Sequence, residues 1–498
     1  MQFKLLDCSL RDGGYYNDWD FTDEFVRNYL HSLNYLPVDY IEIGYLSPNL
    51  SGYKGKYYYL NSNQLDWIKS QTTKKFALMI DVKNIIDQND FVITNAEVLD
   101  KVDLVRLATD YKDFEKSVKL SKLLKSNGLN VAVNLMKFGE IILNMEFKEK
   151  VKLIEPYIEY LYIVDSYGSL YPNDIVKIIK TIKEVSPLKI GFHGHNNLEL
   201  AFSNTLSAID NDVSIVDATF TGMGRGAGNL KMELLIMYVK SKLNQKIKVN
   251  ELQKIVHQFQ TLKNEYNWGT SLPYMISGLY SMPQNEVMDL VSLNRYSFES
   301  IINNLVSENK IICNKFKLNK SFPNALLIGG GKSVKIHLQR IRNYINKNSD
   351  VLLIFCTSKY INDFNEVDCY KIFAVSGDET LKYKGDLKMN NFVLSPSPRV
   401  IDPYENDRVE YEELDSISFI ENSSDSPLSI ALQITIELKI DKINLVGFDG
   451  FKNFYDYKDS LVYKETQEVI TKFSNHKKLN SLTPSLYKDI IQKSIYHN

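Results

Sequence analysis

The chain has 498 residues, with 59 Lys+Arg against 61 Asp+Glu and a formal charge of −2. Near-neutrality removes electrostatic steering toward nucleic acid or anionic lipid. A composition of 44% hydrophobic and 24% charged residues belongs to a folded chain, long enough for two or three domains of roughly 100–200 residues each.

The opening stretch Met1–Cys8 reads as a strand and lacks the basic and apolar regions of a secretory leader. No run approaches the ~18 apolar residues of a membrane span. The cysteines Cys8, Cys313, Cys356 and Cys369 form no Cys-x-x-Cys pair, so neither a zinc ribbon nor a disulfide framework is expected. The expected location is the cytoplasm.

Short apolar runs then alternate with amphipathic stretches. The predicted strands are Phe3–Cys8, Tyr40–Gly44, Lys75–Ile80, Leu104–Ala108, Asn130–Met136, Tyr160–Val164, Lys189–His193 and Ser214–Thr219. Helical segments follow them, for example Asp113–Ser126, Tyr171–Val185 and Asn197–Asp210. Eight such units within 1–245 fit a closed (β/α)8 barrel of about 250 residues better than an open, doubly wound sheet. Residues 246–318 read as a helical appendage, with helices at Glu251–Glu265, Leu272–Ser281, Glu286–Val291 and Ser297–Ser307. A smaller Rossmann-like α/β domain is expected over 324–498, with strands at Ala325–Ile328, Val351–Cys356, Lys371–Val375, Asn391–Leu394 and Ile443–Val446. Ser426-Pro427 supplies an N-cap and a first-turn proline before Leu428–Leu438.

Barrels keep their chemistry at the C-terminal ends of strands. There the chain places Leu10-Arg11-Asp12-Gly13-Gly14, His193-Gly194-His195-Asn196-Asn197 and Gly222-Met223-Gly224-Arg225-Gly226-Ala227-Gly228-Asn229. Positions i and i+2 of a strand share a face, so His193 and His195 can aim two imidazoles into one cavity. With a carboxylate from Asp12 they form a ligand set for a divalent metal (Mn, Co, Mg or Zn) that leaves positions open for a chelating substrate. The plainer reading makes His-Gly-His a loop and Asp12 a helix cap. Glu42 and Arg106, charged residues inside apolar runs, are expected to pair across the barrel interior.

Leu6-Asp7-x-x-Leu10-Arg11-Asp12-Gly13, His193-x-His195-x-Asn197-Leu198 and Gly222-x-Gly224-x-x-x-Gly228-Asn229 resemble the metal-dependent pyruvate aldolase and HMG-CoA lyase-like superfamily. Trp268-Gly269-x-x-Leu272-Pro273-Tyr274-x-x-x-Gly278-Leu279-Tyr280 is similar to the helical region of its aldolases. The resemblance implies that Asp12, His193 and His195 bind the metal, that the carboxyl and 2-oxo groups of pyruvate complete its coordination, and that Arg11 donates to the enolate oxygen. Asn229 is a further ligand, an orienting residue or a helix N-cap.

Departures from the superfamily's patterns separate its branches. Val164 stands where carboxyltransferases carry a modified lysine, and Gly14 stands where the Claisen branch carries glutamate. The aldolase branch, with 4-hydroxy-2-oxovalerate aldolase the nearest type, fits better. Its catalytic histidine is replaced by Tyr15, a phenol of ordinary pKa ~10 that either relays a proton or walls the pocket. Tyr16 and Tyr280 are candidates to share that task, and Lys137 is a weaker nucleophile candidate.

The turn Gly329-Gly330-Gly331-Lys332-Ser333 fails both the Walker A and the dinucleotide spacing, though a glycine turn before a helix still offers amides to an anion. The stretch to Asp449-Gly450 resembles Rossmann-like domains of bacterial glycan-modifying and pterin-phosphate enzymes. The expected activity is a divalent-metal-dependent aldolase joining a 2-oxo acid to an aldehyde, sugar-derived in a surface-glycan pathway. Claisen chemistry on an acyl-CoA and a non-catalytic binding subunit are the alternatives. Partners are small molecules, with no nucleic acid or membrane; a homo-oligomer is left open.

Overall fold

The computed structural model describes residues 3–293, 301, 314–377, 389–395, 411–420, 425–451 and 457–497, and the chain divides into two compact units, Met1–Met288 and Asp289–Asn498. In the first unit eight parallel strands close into a barrel, in sequence order: β1 (Lys4–Asp7), β2 (Tyr40–Tyr45), β3 (Lys75–Asp81), β4 (Leu104–Thr109), β5 (Val131–Leu135), β6 (Tyr160–Asp165), β7 (Lys189–Gly194) and β8 (Ile215–Ala218). Closure is made by β1, which pairs with β2 on one side and with β8 on the other, Leu6 standing opposite Asp217. The strands are buried on both faces, which is why their sequences run apolar without alternation.

The outer helices bury one stripe each. In Pro172–Lys183 the residues Ile175, Ile178, Ile179 and Ile182 are buried, a spacing that keeps them on one face of a 3.6-residue helix. Inside the barrel, apolar residues such as Leu6, Ala77, Ala132 and Ile215 fill a separate cluster. Three charged residues interrupt it: Glu42, Arg106 and Asp217 are at most 2% exposed. Helices Val249–Tyr266 and Leu272–Leu279 complete the unit, the first packing Leu252, Ile255 and Phe259 inward.

The second unit carries a nine-stranded, wholly parallel sheet. Its strands are β9 (Asn314–Lys315), β10 (Asn324–Ile328), β11 (Leu352–Phe355), β12 (Tyr370–Val375), β13 (Asn391–Leu394), β14 (Tyr411–Glu413), β15 (Lys442–Val446), β16 (Leu479–Ser481) and β17 (Ile491–Gln492). They lie in the order β17-β16-β15-β10-β11-β12-β13-β14-β9, so the winding reverses between β10 and β15. Helix Pro427–Glu437 starts at Ser426, whose side chain accepts from the Ser429 amide, as its sequence predicted. The expected helix Ser297–Ser307 falls largely outside the described residues. Among the described residues no helix is long and apolar enough to cross a membrane.

Candidate active site

The chain leaves β1 directly into helix Ser9–Asn17, so Arg11 and Asp12 stand in a helical turn, and the cap is Cys8 rather than Asp12. Two glycines inside a helix cost about 1 kcal/mol each in propensity. Close packing requires them here. A Cβ on Gly13 would meet Met223 Sδ at 2.5 Å, and one on Gly14 would enter the Trp19 ring.

His193 and His195 do come together, their rings edge-on with centroids 5.1 Å apart. His193 Nδ1 donates to Asp217 Oδ2 at 3.0 Å, and His195 Nδ1 donates to the Ser166 carbonyl at 2.8 Å. Each hydrogen bond fixes a tautomer whose Nε2 is bare, the arrangement of metal-ligating histidines. His193 Nε2 lies 3.7 Å from Asp12 Oδ2, and the three ligand atoms of Asp12, His193 and His195 all fall within 4.8 Å of one another. Burial, with His193 next in weight, lowers the His195 pKa to about 3, so this imidazole is neutral. Burial alone would raise the Asp12 carboxyl, but the opposing charge of Arg11 and its neighbours overrules it and holds the group well below the ordinary range.

Asn229 Nδ2 donates to Asp12 Oδ2 and, at 3.1 Å, to the Met223 carbonyl, while its Oδ1 is buried with no partner. Asn229 therefore belongs to this cluster and caps no helix. An orphaned amide oxygen beside an ionised carboxylate and two bare imidazole nitrogens is a donor set that fits a divalent cation. Cys8, His193 and Asp217 make a second grouping of ligand atoms. There Asp217 is already bound to Arg106 and His193, and burial raises the Cys8 thiol, so that grouping supports the first.

Glu42 and Arg106 do pair, within a larger circuit. Arg11 Nη1 contacts Asp12 Oδ1 at 2.6 Å, and Arg11 Nε donates to Glu42 Oε2 at 2.7 Å. Arg106 Nη1 lies 2.9 Å from Glu42 Oε1 and its Nη2 donates to Asp217 Oδ2 at 2.5 Å. Asp217 in turn holds His193, so one chain of buried charges joins Asp12 to His193 the long way round. Arg106 remains charged although burial opposes it, because Asp217 and Glu42 flank it.

The Tyr15 hydroxyl lies 3.0 Å from that of Tyr45, and its ring packs edge-on to Trp19. Burial, and then Tyr15, raise the Tyr45 phenol well above its ordinary value, which keeps it protonated. The Tyr16 hydroxyl reaches the Gly226 carbonyl at 3.5 Å, whereas Tyr280 is 56% exposed. Lys137 pairs with Asp110 at 3.3 Å, as a structural lysine does.

The helical appendage braces these loops. Asn197 Nδ2 donates to the Tyr274 carbonyl at 2.9 Å and to Ser277 Oγ at 3.1 Å, and the Gly269 amide donates to the Gly226 carbonyl at 3.0 Å. In the second unit, the glycine turn after β10 has its own occupant. Asp449 accepts from the Ser333 amide at 2.9 Å and from the Ser333 hydroxyl.

Sequence reasoning missed Tyr45, Asp217 and Ser166 as members of this site and quoted Arg225 only within its loop. Asp217 did carry a signal, a lone acid inside Ile215–Ala218, like Glu42 and Arg106 in their strands.

Comparison with known proteins agrees with this geometry. A family model described as HMGL-like matches residues 2–258. A 4-hydroxy-2-oxovalerate aldolase from Carboxydothermus hydrogenoformans is 31% identical over 238 residues, covering 47% of this chain and 70% of that protein. An oxaloacetate decarboxylase from Mycobacterium tuberculosis is 27% identical over 235 residues, covering 47% of this chain and 68% of that protein. The crystal structure of the N-terminal domain of a candidate aldolase from Bacteroides vulgatus is 39% identical, with a TM-score of 0.57, and covers 60% of this chain and 99% of that domain. From barrel topology, motif order and the extent of these matches, the chain belongs to the HMGL-like family.

Proposed function

We propose that the chain is a divalent-metal-dependent carbon–carbon lyase that forms or cleaves the bond between the enolate of pyruvate, or a similar 2-oxo acid, and an aldehyde. The observation that carries this reading is the grouping of Asp12, His193 and His195, with both histidines tautomerically fixed from behind. The relatives' names support it through common chemistry. Retro-aldol cleavage of 4-hydroxy-2-oxovalerate and decarboxylation of oxaloacetate leave the same fragment, the pyruvate enolate.

Asp12, His193 and His195 would hold the cation, with Asn229 orienting Asp12. Bound there, a divalent ion supplies Lewis-acid stabilisation of negative charge on the 2-oxo oxygen. Arg11 keeps its guanidinium rigid through Glu42 and Asp12, and its second terminal nitrogen makes no hydrogen bond to the described residues. That nitrogen donates to the developing enolate oxygen in a site with little water to screen it. Tyr15, backed by the neutral Tyr45 hydroxyl, gives a proton to the aldehyde oxygen in condensation and takes it back in cleavage.

A sugar- or nucleotide-linked acceptor is part of the same proposal. Its support is the second unit's parallel sheet, whose strand order reverses between β10 and β15, where such sheets receive ligands. The test is exchange of the pyruvate C3 protons in deuterated water. Exchange stimulated by Mn or Co is expected; its absence with every divalent metal overturns the reading.

A further inference from the structure

We infer that Arg225 is the receptor for an anionic group on the acceptor, so that the second substrate is an aldehyde carrying a carboxylate or phosphate. This rests on the enolate reading above and names the acceptor class for the same site.

The loop after β8 is built to present this one side chain. Gly222, Gly226 and Gly228 all have positive φ, and a Cβ on Gly224 or Gly226 would enter Asn229 or Gln284. The loop therefore folds back tightly enough to bring Asn229 onto Asp12, and the long charged side chain left in it is Arg225. The Arg225 guanidinium carbon sits 4.2 Å from the centre of the Tyr15 ring.

The site's other two arginines are neutralised. Arg11 meets Asp12 and Glu42, and Arg106 meets Glu42 and Asp217. Arg225 has no carboxylate within ion-pair distance among the described residues, and its Nε is buried without a hydrogen-bond partner. A guanidinium whose Nε is buried without a partner or an anion is costly unless a ligand completes it.

Depth decides which ligand. Asp12, His193 and His195 are 1%, 3% and 5% exposed and lie deepest, so under the enolate reading the carboxyl and 2-oxo oxygens of the 2-oxo acid belong with them, beside Arg11. Arg225 and Tyr15 are only partly buried and stand at the rim. An aldehyde arriving second meets the rim, with its carbonyl toward Tyr15 and its anion on the guanidinium. Arginine's planar fork suits carboxylate and phosphate alike.

Two matched pairs test this and separate the anions: succinic semialdehyde against butanal, and glyceraldehyde 3-phosphate against glyceraldehyde. Each is assayed with pyruvate and Mn on the full-length chain. The charged member of one pair is expected to be favoured in kcat/KM by at least about tenfold, as for a desolvated charged hydrogen bond. Arg225→Gln should collapse that ratio through the aldehyde KM, and Arg225→Lys should restore part of it. No charge preference in the wild type, or a preference that survives Arg225→Gln, overturns the assignment. Missing pyruvate exchange in the wild type would instead sink the enolate reading. Calorimetric titration of the same aldehydes into wild-type and Arg225→Gln protein then decides the receptor alone: charge-selective binding lost in the variant supports it, and equal binding overturns it.

Discussion

His193 and Arg106 share one oxygen. Asp217 Oδ2 accepts the His193 Nδ1 proton at 3.0 Å and is gripped by Arg106 Nη2 from within the barrel. The charge that makes His193 a good ligand is thus itself held in place by the barrel's most buried cation. Asp217→Asn keeps the shape but removes that charge. Divalent-metal affinity is expected to fall about 10–100-fold, the usual cost of losing such a supporting partner. Titration with Mn, alongside circular dichroism to show the fold is kept, checks it.

Arg106 should matter for stability more than any surface charge. Arg106→Met takes away the cation that Glu42 and Asp217 share, leaving Glu42 only Arg11 and Asp217 only His193, and a loss of about 3–5 kcal/mol is expected. Adding Glu42→Gln and Asp217→Asn to that variant removes the under-compensated charges and should recover part of the loss, with Arg11 keeping Asp12 as its partner. Urea midpoints of the single and triple variants decide it; equal midpoints contradict the account.

Much of this was readable in the chain, and the exceptions have physical causes. All eight barrel strands were placed within two residues at either end, because each is a short apolar run buried on both faces. That His193 and His195 stand side by side was allowed by strand alternation, with a plain loop as the equal alternative until the family resemblance favoured the pair. The helix holding Arg11 and Asp12 was not, since Gly13-Gly14 argues against helix, and tertiary packing on Met223 and Trp19 overrides that propensity. The strands Leu479–Ser481 and Ile491–Gln492 are too short to show a period. The isolation of Arg225 was invisible as well, because an unpaired charge is a property of three dimensions.

Asp7 gives the barrel a pH signature. Burial raises its pKa from 3.8 to about 7, against the hydrogen bonds donated by the Ser9 amide and Tyr29. Between those values the folded state binds the proton and the unfolded state releases it. Stability from this group is therefore full below pH ~4 and is lost as pH rises through 7, with a slope of at most about 1.4 kcal/mol per pH unit. Asp7→Asn should flatten that slope in urea titrations run from pH 4 to 8; an unchanged slope contradicts it.

Gly278 lets helix Leu272–Leu279 approach the histidine loop, since a Cβ there would lie 2.8 Å from Asn197 Cβ and 3.2 Å from Leu198. Gly278→Ala is expected to cost about 1–3 kcal/mol by overpacking and to weaken metal binding through His195. Thermal unfolding and Mn titration of the variant check both effects.

The most direct measurement is an electron paramagnetic resonance titration with Mn(II), in which bound ion loses the free-ion signal. The account predicts one site per chain, tightened by oxalate as a chelating mimic of the enolate, and abolished in Asp12→Asn with His193→Ala and His195→Ala. Unattenuated free-ion signal with the wild-type protein, or binding that survives those three substitutions, would contradict it.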